Sequence, residues 1–307
     1  MTRFFKFGAA AVLIAALSSS SVIVGQSLTF TRIAGWNQQG VEFDNQGTPH
    51  PVNKPDQLRA AIAAMNADII VMSEVNSKES MEEIVGTPFP NGVTYKLSMD
   101  DDQPTPQKIA VVFRDHPDIA VTNRRAIPGS DDNLPDRLRK AWAFDVKIRN
   151  FDFLLIGVHL KSGRNNAERQ TRSRQTKAIA QFVRQVTNGT GEKDVLVVGD
   201  YNMIPGQDAQ NFASLSPGSS SHEFLRFISS ATAPPSHIDK CVNGTPTGNL
   251  LDGFSISRAQ THEWTGFVKI LRLHTIMTNM TCKKYHDTVS DHYPVVARFR
   301  VSKPDDD

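Results

Sequence analysis

The sequence predicts a mixed α/β domain in which one or two sheets are covered by helices. Three observations carry this. Short, wholly apolar runs, DIIVM (68–72) and DVLVV (194–198), occur in both halves of the chain, as buried central strands require. Two longer apolar runs, Ala141 to Ile148 and Phe151 to Leu160, flank Arg149-Asn150 as the arms of a hairpin would. Segments of helical periodicity, Pro55 to Asn66 and Glu168 to Val186, lie between such strands, so hairpins and helices interleave. Pattern alone leaves the topology open.

Taken in order, the chain begins with Arg3 and Lys6, then an apolar run from Gly8 to Leu17, then serines from Ser18 to Ser21. This is the pattern of a secretory signal peptide of bacterial type, placed at residues 1–25. The alternative, a membrane anchor, needs about 20 apolar residues and finds half of that. The protein is therefore expected to be secreted or periplasmic. Residues 26–303 read as one domain, and residues 304–307 as an acidic tail expected to fray.

Within the domain, Leu28 to Trp36 alternates as a strand. Pro55 opens a helix to Asn66, where its fixed φ suits the first turn. Asp68 to Met72 follows as a central strand and Lys108 to Arg114 as another. The 141–160 hairpin precedes the helix from Glu168 to Val186, which leads into the strand Asp194 to Val198. Leu250 to Ile256 and Tyr293 to Val301 are the late strands. Cys241 and Cys282 are the only cysteines. In an exported chain an even pair suggests a disulfide, against the alternative of two free thiols. Neither C-x-x-C nor H-x-x-x-H accompanies them, which argues against a zinc site.

The chemical signal lies at strand ends. Apolar runs terminate repeatedly in a carboxylate, amide or imidazole: Asn37 after Trp36, Glu74 after DIIVMS, His159 in FDFLLIGVHL, Asp200 and Asn202 after DVLVVG, and Asp291-His292 ahead of YPVV. Such tips form the rim on which ligands bind in α/β sheets. Asp200 and Asn202, at i and i+2, point the same way from an extended tip. Each residue alone has a plainer reading, as a cap, an Asx-turn or a satisfied core histidine. Their coincidence favours a site.

At these residues the chain resembles the endonuclease/exonuclease/phosphatase superfamily. The stretches RIAGWN (32–37), DIIVMSEV (68–75), LIGVHLKSG (155–163), VLVVGDYN (195–202), LLDGFSIS (250–257) and SDHYPVVARF (290–299) carry the resemblance, in family order. It implies a four-layer sandwich: two packed mixed β-sheets flanked by helices, with the site at one end. It also implies a divalent metal, Mg²⁺ with Mn²⁺ or Ca²⁺ as alternatives, held by Asn37, Glu74 and Asp291. Asp200 would activate water, with Asn202 beside it. His292 would stabilise phosphate charge with Asp252 as its partner, and His159 would serve the leaving group. One position departs: where pancreatic-type nucleases place an acid to pair with the counterpart of His159, this chain has Gln107.

Substrate is less legible. Without Arg3 and Lys6 the chain holds 32 basic and 32 acidic residues, so net charge gives no support for nucleic-acid binding. Locally, Lys161, Arg164, Arg169, Arg172, Arg174 and Lys177 face only Glu168. This stretch reads either as a solvated helix face or as a phosphate-backbone patch led by Lys161 and Arg164 and extended by Arg137, Arg139 and Lys140. A nuclease is the first expectation. A sphingomyelinase-like lipid phosphodiesterase or a phosphomonoesterase is the second, although no exposed aromatic hairpin is evident; Trp264 and Phe267 read as core. A catalytically silent binding or toxin-like module is the third. No stable protein partner is expected, and the chain reads as a monomer. Asn188, Asn243 and Asn279 stand in N-x-[ST] sequons.

Overall fold

The computed structural model describes residues 28–39, 55–90, 92–99, 107–134, 138–215, 226–228, 235–257 and 261–305. The expected signal peptide and Arg137 lie outside them. The apolar runs form two six-stranded sheets. The first contains β1 (Phe30–Asn37), β2 (Ile69–Val75), β3 (Tyr95–Met99), β4 (Lys108–Arg114), β13 (Trp264–Ile270) and β14 (Val295–Arg300), in the order β13-β14-β1-β2-β4-β3. The second contains β5 (Ile119–Ala126), β6 (Trp142–Ile148), β7 (Phe151–His159), β8 (Val195–Asp200), β9 (Arg226–Ile228) and β12 (Asp252–Ile256), in the order β5-β6-β7-β8-β12-β9. A separate hairpin joins β10 (His237–Val242) to β11 (Thr245–Asn249).

Each sheet carries one parallel pair, β1–β2 and β7–β8, and its other pairs are antiparallel. A parallel pair needs a crossover. α1 (Pro55–Met65) supplies the first and α3 (Asn166–Thr190) the second. α2 (Lys78–Val85), α4 (Ala209–Leu215) and α5 (Cys282–Thr288) complete the helices.

The side-chain period of two explains why β7 and β8 are apolar throughout. Leu196 and Val198 of β8 join the core that holds Ile33 and Val71 of the first sheet. Val195 and Val197 point the other way and pack with Ile179 and Val183 of α3. On the far side, Leu58 and Ile62 of α1 and Met81 and Ile84 of α2 cover the first sheet. The result is the four-layer sandwich expected, helix, sheet, sheet, helix. Gly35 lets the sheets approach closely, since a Cβ there would lie 2.8 Å from the Val198 side chain.

α3 is longer than its apolar pattern, because its ends are set by polar chemistry. Asn165 and Glu168 form a reciprocal capping box, and Gly191 closes the helix in the left-handed conformation. Gly163, at φ 103, lies so close to the Glu168 carboxylate that a side chain would collide with it. Cys241 of β10 and Cys282 of α5 are joined as a disulfide, with Cα atoms 5.9 Å apart. This crosslink stabilises by about 2–4 kcal/mol. Trp264 and Phe267 lie on the edge strand β13 and are half-buried, with the Arg298 guanidinium 4.8 Å over the Phe267 ring; neither belongs to the fully buried core. The Asp305 carboxylate accepts a hydrogen bond from the Asp152 backbone N–H at 2.9 Å, which ties the start of the acidic tail to β7.

The basic stretch is largely consumed by structure. Arg172 is buried, donating to the carbonyls of Lys161 and Gly163 at 2.8 and 2.7 Å and to Asp208 at 3.0 Å. Arg174 forks onto Asp132, and Lys161 reaches Glu168 at 3.8 Å. Arg172→Ala leaves the buried Asp208 short of its main partner, so it is expected to cost about 3–5 kcal/mol. Urea denaturation checks this as a lowered midpoint at unchanged slope.

Candidate active site

Both parallel pairs end at the same place, at the carboxyl ends of their strands. Asn37 closes β1 and His159 and Asp200 close β7 and β8, with Glu74 one residue from the end of β2. Asn37 is the tie between the sheets. Its Nδ2 donates to Glu74 Oε1 at 3.0 Å and to Asp200 Oδ2 at 3.1 Å. Its Oδ1 accepts from the Gln39 backbone at 3.0 Å.

Glu74 adopts φ 61, a conformation that costs a non-glycine residue about 1–3 kcal/mol. It sits where the β2–β4 register breaks between Met72 and Val75. Such an irregularity re-aims a side chain, and here Glu74 faces the cavity. Burial raises its pKa above the usual carboxylate range. The Asn37 hydrogen bond and the charges of His292 and Arg139 oppose that shift, and the charge of Asp291 adds to it.

Asp200 is held on every side. Oδ1 accepts from the Asn202 backbone at 2.8 Å, and Oδ2 accepts from the Asn202 amide at 3.1 Å. The β7–β8 approach demands Gly199 (φ 138), where a Cβ would collide with the Val158 carbonyl. Burial, reinforced by the Asp252 charge, pushes the pKa of Asp200 up to about 7 against the pull of His292 and the hydrogen bonds. Asn202, at φ 50, also donates to the Leu160 carbonyl at 3.1 Å.

Opposite stands His292. Its Nδ1 lies 2.7 Å from Asp252 Oδ2, with both groups buried. Its backbone is fixed by Ser290, whose hydroxyl accepts from the His292 N–H at 2.9 Å and donates to the Asn37 carbonyl at 2.7 Å. Trp36 and Tyr285 both donate to the His292 carbonyl, at 3.1 and 2.7 Å. Burial disfavours the cation, but the charge and hydrogen bond of Asp252, with Asp200 and Asp291 behind them, outweigh it and raise the pKa of His292 to about 10. Asp252 is itself placed by Ser236, whose hydroxyl accepts from its backbone at 2.9 Å.

His159 differs. Its Nε2 lies 2.7 Å from Arg139 Nη2, so it accepts, and the proton belongs on Nδ1, which is buried without a partner. Nε2 also lies 3.6 Å from Glu74 and 3.7 Å from Asp200. Burial, then the charges of Arg139 and His292, holds the pKa of His159 well below its ordinary value, so the ring is neutral. Gln107 lines the same cavity and donates its backbone N–H to Asn76, while the side chain paired with His159 is that of Arg139.

These residues wall a cavity of about 330 Å³. Asn37, Glu74, His159, Asp200, Asn202, Asp291 and His292 line it, with Arg164 on its rim; Asp252 lies behind His292, and Lys161 is not on the wall. Arg139 and Arg169 of the basic stretches also line it, and the structure adds His237. Arg139 stands in a basic cluster, but it lies outside the strands, just ahead of β6, where no periodicity reveals its place beside Glu74 and Asp200. His237 opens a polar hairpin strand and carries no sequence signal beyond its residue type.

A family model described as Endonuclease/Exonuclease/phosphatase family matches residues 34–292. No curated protein sequence matches the chain. Among solved structures, truncated Caenorhabditis elegans TDP2 is similar at TM-score 0.57 and 14% identity, over 88% of this chain and 98% of that one. The human Nocturnin catalytic domain with bound sulfate is similar at 0.57 and 18%, over 88% and 94%. SmcL is similar at 0.59 and 17%, over 88% and 99%. Danio rerio TDP2 complexed with a single-strand DNA product is similar at 0.59 and 14%, over 89% and 99%. At these identities the structures speak to the fold.

Proposed function

We infer from the chain's family, the endonuclease/exonuclease/phosphatase family, to which it belongs and whose members are hydrolases of phosphoester bonds, that it is an exported, divalent-metal-dependent phosphodiesterase acting on nucleic acid. One observation carries the chemistry: Asp200 and His292, the latter paired through Nδ1 with Asp252 at 2.7 Å, share one buried cavity, where burial pushes the pKa of Asp200 up to about 7 and, against burial, Asp252 raises that of His292 to about 10. Environments that push two titratable groups apart in this way assign a base and a cationic donor.

The residues fit a hard cation. Glu74, Asp291 and the amide of Asn37 offer oxygens of the kind Mg²⁺ prefers. A bound cation also removes the repulsion by which Asp291 raises the pKa of Glu74. Asn37 turns its nitrogen to both carboxylates, so its first service is to position Glu74 and Asp200. Mg²⁺ held there would supply Lewis-acid polarisation of the phosphoryl oxygen and stabilise the leaving oxygen.

The remaining steps belong to the chain. Asp200 orients the attacking water and takes its proton, its carboxylate fixed by Asn37 and Asn202. Protonated His292 donates from Nε2 to a non-bridging oxygen as charge develops, and Asp252 holds its tautomer and charge. Neutral His159, with Nε2 committed to Arg139, orients that guanidinium. Arg139 then offers positive charge to the leaving side; burial lowers its pKa, and the charges of Glu74 and Asp200 oppose that shift.

A nucleic-acid substrate is supported by Arg164 and Arg169 on the cavity wall and by a relative of the same fold bound to a single-strand DNA product. The disulfide fits an oxidising compartment. No helix among the described residues is long and apolar enough to cross a membrane. The test is a panel of DNA, RNA, sphingomyelin vesicles and a phosphomonoester, each with Mg²⁺ and with EDTA. Metal-dependent cleavage of nucleic acid is expected. Intact nucleic acid alongside hydrolysed sphingomyelin would transfer the assignment to lipid.

The pH profile follows from the same pair. Activity needs Asp200 ionised and His292 protonated. It therefore rises with pH through Asp200's value near 7 and falls through His292's near 10. A bound cation favours carboxylate ionisation and neutralises the Asp291 charge that helps hold His292 protonated, so raising Mg²⁺ should move both the acid and the alkaline limbs down. Profiles of kcat/KM at low and high Mg²⁺ check both.

A further inference from the structure

Beside the cavity, three side chains form a second constellation that the proposed mechanism leaves partly unused. His237 Nε2 lies 3.7 Å from Asp291 Oδ2, and His292 Nε2 lies 4.0 Å from Asp291 Oδ1, so two imidazole nitrogens face the two oxygens of one carboxylate. The three donors lie within 4.8 Å of one another. Tetrahedral ligands about 2.0–2.2 Å from a metal stand about 3.3–3.6 Å apart, so the cluster needs modest contraction to close on an ion.

The surroundings favour ligation. Each imidazole has a carboxylate at its other nitrogen: Asp252 at 2.7 Å from His292 Nδ1, and Asp239 at 3.3 Å from His237 Nδ1. At His292 such a carboxylate–imidazole chain fixes the tautomer that presents Nε2 and raises its basicity, whereas His237 Nδ1 makes no hydrogen bond and Asp239 acts on that ring through charge alone. The backbone is equally set, because His237 bridges His292 as an isolated β-pair and the Ile238 N–H donates to the Asp291 carbonyl at 2.6 Å. The His237 and Asp291 side chains each keep 24% of their surface exposed, which leaves an entry path and room for a fourth ligand.

We propose that His237, Asp291 and His292 bind a borderline transition-metal ion of the Zn²⁺ class, through a donor set that shares Asp291 with the oxygen-lined Mg²⁺ position but adds two imidazoles, and that its occupation inhibits the enzyme. Two nitrogens and one carboxylate select such an ion over Mg²⁺. An ion held there displaces the Nε2 proton of His292 to solvent and takes the nitrogen that would otherwise donate to the substrate phosphate. The inhibitory half rests on the proposed phosphodiesterase function, whereas the binding half stands without it.

Zn²⁺ titrated into chelator-treated full chain, in competition with a chromophoric chelator, reads the site without any turnover. One strong site is expected in the wild type. His237→Ala and His237→Gln should each weaken it at least tenfold, and His286→Ala, on α5 and outside the cluster, should leave it unchanged. Co²⁺ in place of zinc should give the absorption of a tetrahedral centre in the wild type and lose it in both His237 variants. Mg²⁺-supported turnover should fall with added Zn²⁺ in the wild type and resist it in His237→Ala. Absence of strong binding in the wild type, or equal affinity in folded His237 variants, overturns the site. Binding as expected in a chain that shows no turnover on any phosphoester instead overturns the phosphodiesterase reading.

Discussion

Asp200→Asn is expected to lower turnover by about 10²–10⁴-fold, the range for loss of a general base, while the chain stays folded. The substitution keeps size and shape. It removes the charge that, in the proposed function, accepts the water proton. One acceptor oxygen becomes a donor facing either the Asn202 backbone or the two amides at Oδ2, which costs about 1–3 kcal/mol. β8 itself is secured by its pairing with β7 and β12 and by the cores on both faces. Circular dichroism should therefore match the wild type, and the acid limb of the pH profile should vanish with the activity. A variant that keeps wild-type turnover would remove Asp200 from the chemistry.

Asp252→Asn carries the second large effect. Asp252 touches no substrate in this account; it acts through His292. Without its charge the imidazole is no longer held protonated, and burial, the largest influence on His292, is left to lower its pKa. Turnover at neutral pH should fall by about 10²–10³-fold, as for removal of one donor to a developing charge. The alkaline limb should also move from near 10 to lower pH. That second readout separates the role from a loss of stability, since breaking a buried pair costs about 3–5 kcal/mol in any case. In a double-mutant cycle with His292→Gln the losses should be far from additive, because the two residues act as one unit.

Much of the site is legible in the chain because β-strands buried on both faces leave long apolar runs, and polar residues at their ends stand out. Asn37, His159 and Asp200 are visible for this reason. Glu74 is visible too, although nothing in its neighbours announces the left-handed backbone that aims it. The segments that escape reading are those whose conformation periodicity does not set. Arg139 lies between strands, and His237 opens a hairpin with exposed polar faces. The edge elements β3, β5 and β13 are short or half-exposed and lack the uniform apolar signature of β2 and β8.

The basic stretch after His159 shows the opposite failure, a signal stronger than its meaning. Charge density in sequence suggests a phosphate-binding face. The fold spends Arg172 on Asp208 and two carbonyls, Arg174 on Asp132 and Lys161 on Glu168. Arg164 and Arg169 remain at the cavity, and Arg169 also shares Asp208 with Arg172, at 3.8 Å. A phosphate contact from these two is consistent with modest salt dependence of binding, since log affinity falls with about one unit of slope per neutralised phosphate.

The central claim is that Glu74 helps hold a divalent cation without which this cavity cannot cleave a phosphodiester. The most direct test is cleavage of single-stranded DNA by the purified full chain and by Glu74→Gln, with Mg²⁺, after EDTA, and after Mg²⁺ is restored. The wild type should cleave, stop with EDTA and recover. Glu74→Gln should lose several kcal/mol of transition-state stabilisation, about 10²-fold or more in rate. Cleavage that ignores EDTA, or a Glu74→Gln variant that turns over at the wild-type rate, would contradict the account.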